Sequence, residues 1–289
     1  MTDSSSRIFQ LSDTDLDPEI VTTLRVVHKI LSELEIPYFL MGATARDLLL
    51  RNVFGLSSGR LTKDVDFAVA AKDWNEFAEV NASLVESGQF QAVPKSIHRL
   101  KGTEQGSSVL IDIVPFGGLE RANSEILWPP DYDIVMNVAG FTDALNTAIQ
   151  VQLDEQHTIP VVTLECLIVL KLFAWKDRNA KNNKDAADIY TLLKEYAAAG
   201  NTDRIFEDHL PLLEHFEFDL ELTGAALLGF DTARILTLNT REAVEVLLNA
   251  EDLMDRLAGH MMQSLSRMDD QDDQKLKKLL SAYRYGFGT

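Results

Sequence analysis

The chain has 289 residues, 46% hydrophobic and 25% charged, the balance of a globular chain rather than a disordered or fibrous one. Its formal charge of -18 repels phosphate backbones and argues against broad coating of nucleic acid. A lone cysteine, Cys166, excludes an internal disulfide and suits a reducing cytoplasm, and no apolar stretch reaches the ~20 residues of a membrane span. Residues 1–17 read as a flexible polar tail rather than a signal peptide, since Met1–Arg7 has no apolar core behind it. Apolar residues at Ile20, Leu24, Val27, Ile30, Leu31 and Leu34 then predict an amphipathic helix over 18–35, with Asp17 as cap and Pro18 in its first turn. Pro37 ends it. Tyr38–Met41 reads as a strand, 43–52 as a helix, and 54–61 as a glycine- and serine-rich loop.

Further strands are expected over 65–70, 90–93, 96–101 and 107–114, with a helix over 72–86 and a turn at 102–106. The stretch from Phe116 to Pro160 is rich in Gly, Pro and Asn, and short strands are expected there. Beyond Thr163 the periodicity is helical: 164–178, 185–196, a set through 203–237, then 240–259 and 275–285. Thr163 and Thr240 read as caps, and the acidic stretch 268–274 as a solvated turn. The layout predicts an α+β fold, a mixed sheet with flanking helices over 18–160, followed by an all-helical region over 161–289.

The sharpest motif is Asp64-Val65-Asp66. Strand side chains alternate, so both carboxylates share one face while Val65 and Phe67 point to the core. Two carboxylates so placed repel unless a cation sits between them, and Mg2+ suits hard oxygen ligands of this kind. A second strand, Val109 to Val114, carries one acid, Asp112, among apolar residues, where an unpaired charge would be costly. Joined to the first two, Asp112 predicts a three-carboxylate cup for two Mg2+ ions, with Mn2+ as a substitute, able to stabilise both oxygens of an in-line phosphoryl displacement. Upstream, the strand that ends at Gly42 and the small residues Ala43 and Thr44 predict a phosphate turn. Backbone N–H groups there can meet a phosphate, and the Thr44 hydroxyl can donate to one.

In this order, Gly42-Ala43-Thr44, Asp64-x-Asp66 and Ile111-Asp112-Ile113 resemble the nucleotidyltransferase superfamily with a polymerase β-type palm, Ala43 standing where that pattern has a second Gly or Ser. Arg60-x-Thr62-x-Asp64-x-Asp66, Lys171 to Arg178 and Lys184 to Ile189 resemble motifs of the AbiEii-type nucleotidyltransferase toxins. Asp112 to Gly118 and Trp128-Pro129-Pro130 resemble related predicted bacterial nucleotidyltransferases, the likeness covering about 38–193. The resemblance implies transfer of an NMP from a nucleoside triphosphate to an acceptor hydroxyl, an RNA end or a protein, with pyrophosphate released and an antitoxin protein as partner. It assigns nucleotide contacts to Arg60, Thr62, Lys171, Arg178 and Asp185, with Lys171 also a catalytic cation. Spacing adds that Lys171 and Arg178 share one helix face and Asp185 and Asp188 another, which also fits two helices tied by surface ion pairs. Arg46-Asp47 resembles the heads of CCA-adding enzymes and bacterial poly(A) polymerases, a lesser match. A metal-dependent glycosyltransferase using its own Asp-x-Asp, and a non-catalytic nucleotide-binding regulator, stay open as other classes. Of the histidines, His98 is nearest these motifs and reads as a strand-surface residue.

Overall fold

The computed structural model describes residues 8–11, 16–57, 62–103, 109–179, 183–264 and 270–289. The chain divides into two compact units, Met1–Thr163 and Leu164–Thr289.

In the first unit the chain order is β1 (Ile8–Gln10), α1 (Pro18–Glu33), β2 (Tyr38–Met41), α2 (Gly42–Asp47), β3 (Asp64–Ala71), α3 (Trp74–Glu86), β4 (Phe90–Ala92), β5 (Arg99–Gly102) and β6 (Leu110–Gly117). Then come β7 (Glu125–Trp128), β8 (Ile134–Asn137), α4 (Phe141–Thr147), β9 (Ile149–Gln152) and β10 (Thr158–Val161). Eight strands form one mixed sheet in the order β1-β9-β10-β2-β3-β6-β5-β4, and β7 and β8 form a separate hairpin. The sheet centre is β3, antiparallel to β2 and parallel to β6 over its whole length. A strand flanked on both sides has all its backbone polar groups within reach of partners, so its apolar residues can be sealed. Val65, Phe67, Ala68 and Val69 are accordingly buried without residue. Asp17 accepts from the Glu19 N–H at 2.9 Å and starts α1, whose buried stripe of Ile20, Leu24, Val27 and Leu31 is the predicted one.

Several expectations are corrected. The polar tail includes a strand, β1, paired parallel with β9 and anchored by an edge-on contact of Phe9 with Phe54. The helix expected over 43–52 ends at Asp47 and continues as a π-helical turn, Leu48–Val53, in which Phe54 N–H donates to the Leu49 carbonyl at 3.0 Å. The wider turn buries three successive leucines, Leu48 to Leu50, which a regular amphipathic helix would not place together. Between Phe116 and Pro160 a helix, α4, joins the expected strands, starting after Gly140 at φ 83°. Parts of the expected loop, turn and strand over 58–61, 104–106 and 107–108 lie outside the described residues.

The second unit is helical throughout: α5 (Leu164–Arg178), α6 (Lys184–Glu195), α7 (Thr202–Asp208), α8 (Leu210–His215), α9 (Leu220–Ile235), α10 (Leu238–Leu248), α11 (Glu251–Gln263) and α12 (Asp270–Gly288). The α9 and α12 backbones meet closely. A Cβ on Gly286 would overlap the Ala226 carbonyl, and one on Gly229 the Tyr283 carbonyl, so neither position has room for a side chain. Thr240 does not cap its helix: it lies buried in the third position of α10, and Thr237 is the cap residue. The helix expected over 240–259 is two helices, breaking at Asn249 and Ala250, where Glu251 and Asp252 favour a new N-terminus. Residues 270–274 belong to α12 rather than a turn, and 268–269 lie outside the described residues. Cys166 is buried. Among the described residues, no helix is long and apolar enough to cross a membrane.

Candidate active site

Alternation along β3 leaves Asp64 exposed and Asp66 half-buried on the face opposite Val65 and Phe67. In the parallel register of β3 and β6, Asp66 is the direct partner of Asp112, and Val65 of Ile111. Neighbouring strands run ~4.8 Å apart, so two carboxylates from separate strands stand side by side on the open face of the sheet. Like charges at that spacing raise the free energy of the site unless a cation joins them.

Gly42 is the reason Asp66 can sit as it does. Its φ is +74°, in the left-handed region, and a Cβ there would overlap Asp66 Oδ2. Met41, which precedes it, is the cross-strand partner of Asp66. Two residues on, the buried Thr44 hydroxyl donates to the Asp64 carbonyl at 2.7 Å. The Thr44 hydroxyl, expected from sequence to donate to a phosphate, ties the turn to β3 in this structure. Half-buried Ala43 lies between them, and the backbone N–H groups of this first helical turn lack intrahelical acceptors. Before β3, the Thr62 hydroxyl accepts from the Asp64 N–H at 3.0 Å, steadying the strand entry. Arg60 lies outside the described residues.

Arg99 belongs to the site and was not singled out in the sequence. It is the antiparallel cross-strand partner of Asp112, and its Nε and Nη2 donate to Asp112 Oδ1 and Oδ2 at 2.7 and 2.6 Å. The two hydrogen bonds to Asp112, with the fields of Asp64 and Asp66 behind them, push the guanidinium above its ordinary pKa. A sequence signal existed: within the expected strand 96–101, buried Leu100 puts Arg99 on the opposite face. Which acid it meets depends on register. Next to it, half-buried His98 packs against Trp128 with ring centroids 5.0 Å apart, and burial lowers its pKa. That makes His98 a packing residue rather than a strand-surface one.

The expected three-carboxylate cup is assembled by the backbone but not by the carboxylate oxygens. Asp64, Asp66 and Asp112 share a face, yet Asp112 turns both oxygens to Arg99. Among the described residues, no three His, Cys, Asp or Glu side chains cluster closely enough to hold a metal ion.

In the second unit, the two predicted helix faces meet. Lys171 of α5 pairs with Asp185 at 3.3 Å and with Asp188, and Arg178 donates to both oxygens of Asp185 at 3.0 and 2.8 Å. These are not surface pairs, because Asp185 and Asp188 are buried. Two basic residues of the segment 171–184, Lys171 and Arg178, are thereby paired from within, and 180–182 lie outside the described residues. A neighbouring knot joins α5, α6 and α9: the Tyr196 hydroxyl lies 2.6 Å from Glu165 and 2.8 Å from Asp231, which also accepts two bonds from Arg204. Arg46 and Asp47, by contrast, form a buried pair between sequence neighbours.

A mixed sheet with flanking helices, carrying an Asp-x-Asp strand paired in register with a second acid-bearing strand after a glycine turn, is the frame of a nucleotidyltransferase. The model of the family described as "Nucleotidyl transferase AbiEii toxin, Type IV TA system" matches residues 27–278, and the chain belongs to that family. It is a nucleotidyltransferase, and a nucleoside triphosphate is its substrate. Similar solved structures include the antibiotic-resistance factor ANT(2'')-Ia, at 12% identity over 70% of this chain and 98% of that one, with a TM-score of 0.37. An antigenic nucleotidyltransferase-like protein from Paracoccidioides brasiliensis is 20% identical over 72% of this chain and 93% of that one, TM-score 0.39. A CCA-adding enzyme is 13% identical over 94% of this chain and 82% of that one, TM-score 0.27. No curated protein matches the chain.

Proposed function

We propose that the chain transfers an NMP from a nucleoside triphosphate to an acceptor hydroxyl in a magnesium-dependent reaction, and that it is the toxin of a toxin–antitoxin pair with an antitoxin protein as partner. The observation that carries the catalytic reading is the in-register pairing of Asp66 with Asp112 on parallel strands, with Asp64 on the same face. We assign the catalytic domain to residues 18–160 and the helical domain to 161–289. The donor set is all carboxylate oxygen, partly open to solvent, which fits a hard divalent cation. Asp64, Asp66 and Asp112 would hold Mg2+, with room in the reading for two ions and for Mn2+ in its place. When bound, the metal supplies charge neutralisation for the phosphates and a more acidic acceptor hydroxyl.

The chain's own groups do the rest. The turn at Gly42 and Ala43 presents backbone N–H groups to the phosphates, and Thr44 holds that turn against β3. Thr62 fixes the start of the Asp-x-Asp strand. The acceptor oxygen bonds to the α-phosphorus as the bond to the bridging oxygen breaks, and pyrophosphate leaves. Family membership supports roles for Lys171, Arg178 and Asp185 in serving the nucleotide, and for Arg60 beside Thr62. An acidic surface argues for an acceptor met at one point, an RNA end or a protein hydroxyl, over a long phosphate backbone.

The test incubates the full chain with each α-labelled nucleoside triphosphate, Mg2+, total RNA and lysate protein. Label should pass to one class of acceptor, which names it, and chelation should stop the transfer. Asp66→Asn should lower the rate by about a hundredfold or more with the far-ultraviolet spectrum unchanged. Undiminished transfer by Asp66→Asn would sink this assignment.

A further inference from the structure

We propose that the aromatic surface built by His215, Phe216, Phe218 and Tyr285 in the helical unit is a docking site for another protein, whose segment presents apolar side chains flanked by Lys or Arg. This surface belongs to a different unit from the sheet that carries Asp64 and Asp66, and does not depend on the catalytic reading.

Local structure sets the first part of it. At the end of α8, Phe218 N–H donates to the Leu213 carbonyl at 2.9 Å and Glu217 N–H to the Glu214 carbonyl at 3.0 Å. A closing turn of this kind needs left-handed backbone, which suits glycine, yet Glu217 stands there at φ 53° and Phe218 at φ 63°. In such turns the apolar side chain past the helix commonly folds back onto the residue that accepts its N–H. Leu213 is buried, but Phe218 stays 64% exposed. A left-handed backbone that holds a phenylalanine out in water does little for the fold of the free chain, and points to a contact beyond it.

Packing sets the second part. Tyr283 and Phe287 of α12 are buried, and a Cβ on Gly286 would overlap the Ala226 carbonyl, so the end of α12 lies tight against α9. Tyr285, two residues from each of them, faces the other way and is 42% exposed. Its ring stacks on His215 with centroids 4.5 Å apart and planes 13° from parallel. Phe216 stands edge-on to both, at 4.8 and 5.7 Å. These rings are held in place before any partner arrives, so little side-chain freedom is lost when they are covered. Aromatic side chains of this kind are frequent anchors of protein interfaces.

Charge selects the partner. Residues 203–221 hold seven acids and one Arg, Arg204, whose guanidinium is engaged by Asp231 and Asn201. Glu214 and Glu217 flank His215 and Phe216, are exposed, and form no ion pair among the described residues. A Lys or Arg beside an apolar anchor would pair with these carboxylates, and a guanidinium can also lie over the Tyr285 ring. The same acids repel a phosphate backbone, which argues against RNA. A second copy of the chain, with its own charge of -18, would set acids against acids.

The experiment titrates the full chain, at physiological salt, into a labelled helical peptide with leucines along one face and arginines beside them, read by fluorescence anisotropy. A copy with glutamates in place of the arginines is the second probe. The wild type should bind the arginine peptide about tenfold tighter than the glutamate one, or more. Phe218→Ser, which alters no charge, should weaken that binding about tenfold, and Glu217→Lys at least as much. Glu217→Gly should raise the melting temperature, because glycine fits the left-handed turn, while still weakening the peptide. Ile134→Ser and Asp133→Lys, on the exposed β7–β8 hairpin of the other unit, should bind as the wild type does. The proposal falls if the wild type binds neither peptide or both alike, if Phe218→Ser matches the wild type, or if Ile134→Ser loses as much as Phe218→Ser. It falls equally if sedimentation shows a dimer of the chain that Phe218→Ser abolishes, or if a single-stranded RNA binds the wild type and not Phe218→Ser.

Discussion

Aspartates meet basic side chains in both units, and the two settings differ in burial. On the sheet, Asp64, Asp66 and Asp112 share one face with Arg99, and all are at least partly open to solvent. Between α5 and α6, Asp185 and Asp188 face Lys171 and Arg178, and both acids are buried. The first group lies at the surface of the sheet, where its acids remain open to solvent. The second pairs two acids with two bases, and its ion pairs tie α5 to α6. The same residue types thus stand open to solvent in one place and enclosed between helices in the other.

Breaking the buried group should have the largest effect on the fold. Lys171→Met leaves Asp188 and much of Asp185 buried without their ammonium partner, and should cost about 3 kcal/mol in a urea melt. The same melt on Arg178→Ala should show a smaller loss, about 1–2 kcal/mol, since that side chain is 51% exposed and Lys171 still faces the buried Asp185. If the two variants lose stability equally, burial is not what separates these ion pairs.

On the sheet the sign reverses, with function more sensitive than stability. Gly42→Ala drives a methyl group into the Asp66 carboxylate from a left-handed backbone position. Transfer should drop by about a hundredfold, against a stability loss of roughly 1–3 kcal/mol. Wild-type transfer by this variant would show that Asp66 need not lie against the turn.

The smallest expected effect is on pH. Burial lowers the pKa of His98 below 6.5, so it stays neutral in the fold while the unfolded chain takes up a proton first. Its contribution is complete above pH 6.5 and is lost as the pH falls from there through the folded-state value. His98→Gln should flatten the decline of the melting temperature in that window, measured by calorimetry. An unchanged slope would remove His98 from the account.

Much of the site was legible before any coordinates. The alternation Asp64-Val65-Asp66-Phe67 fixes which side chains share a face, and apolar neighbours mark Asp112 as an acid that needs a partner. Periodicity likewise marks the second half as helical and separates the Lys171 and Asp185 faces. These are local signals, carried by dihedral preferences and burial patterns over a few residues. What misled was equally local: Asn249 and Ala250 contain no Gly or Pro, so the periodicity runs through a real helix break, and Ile8–Gln10 is too short to stand out from a polar tail.

Only the tertiary structure decided the partners. Arg99 could have met solvent, and the in-register stacking of β5 on β6 is what aims it at Asp112. Gly42 reads as an ordinary turn glycine until β3 lies beside it and Asp66 fills the place of its missing side chain. Thr44 likewise spends its hydroxyl on the Asp64 carbonyl because the turn packs on that strand. Dihedral preference acts along the chain and is written in neighbouring residues. Register, charge pairing and steric exclusion act between distant segments, and exist only once the sheet has formed.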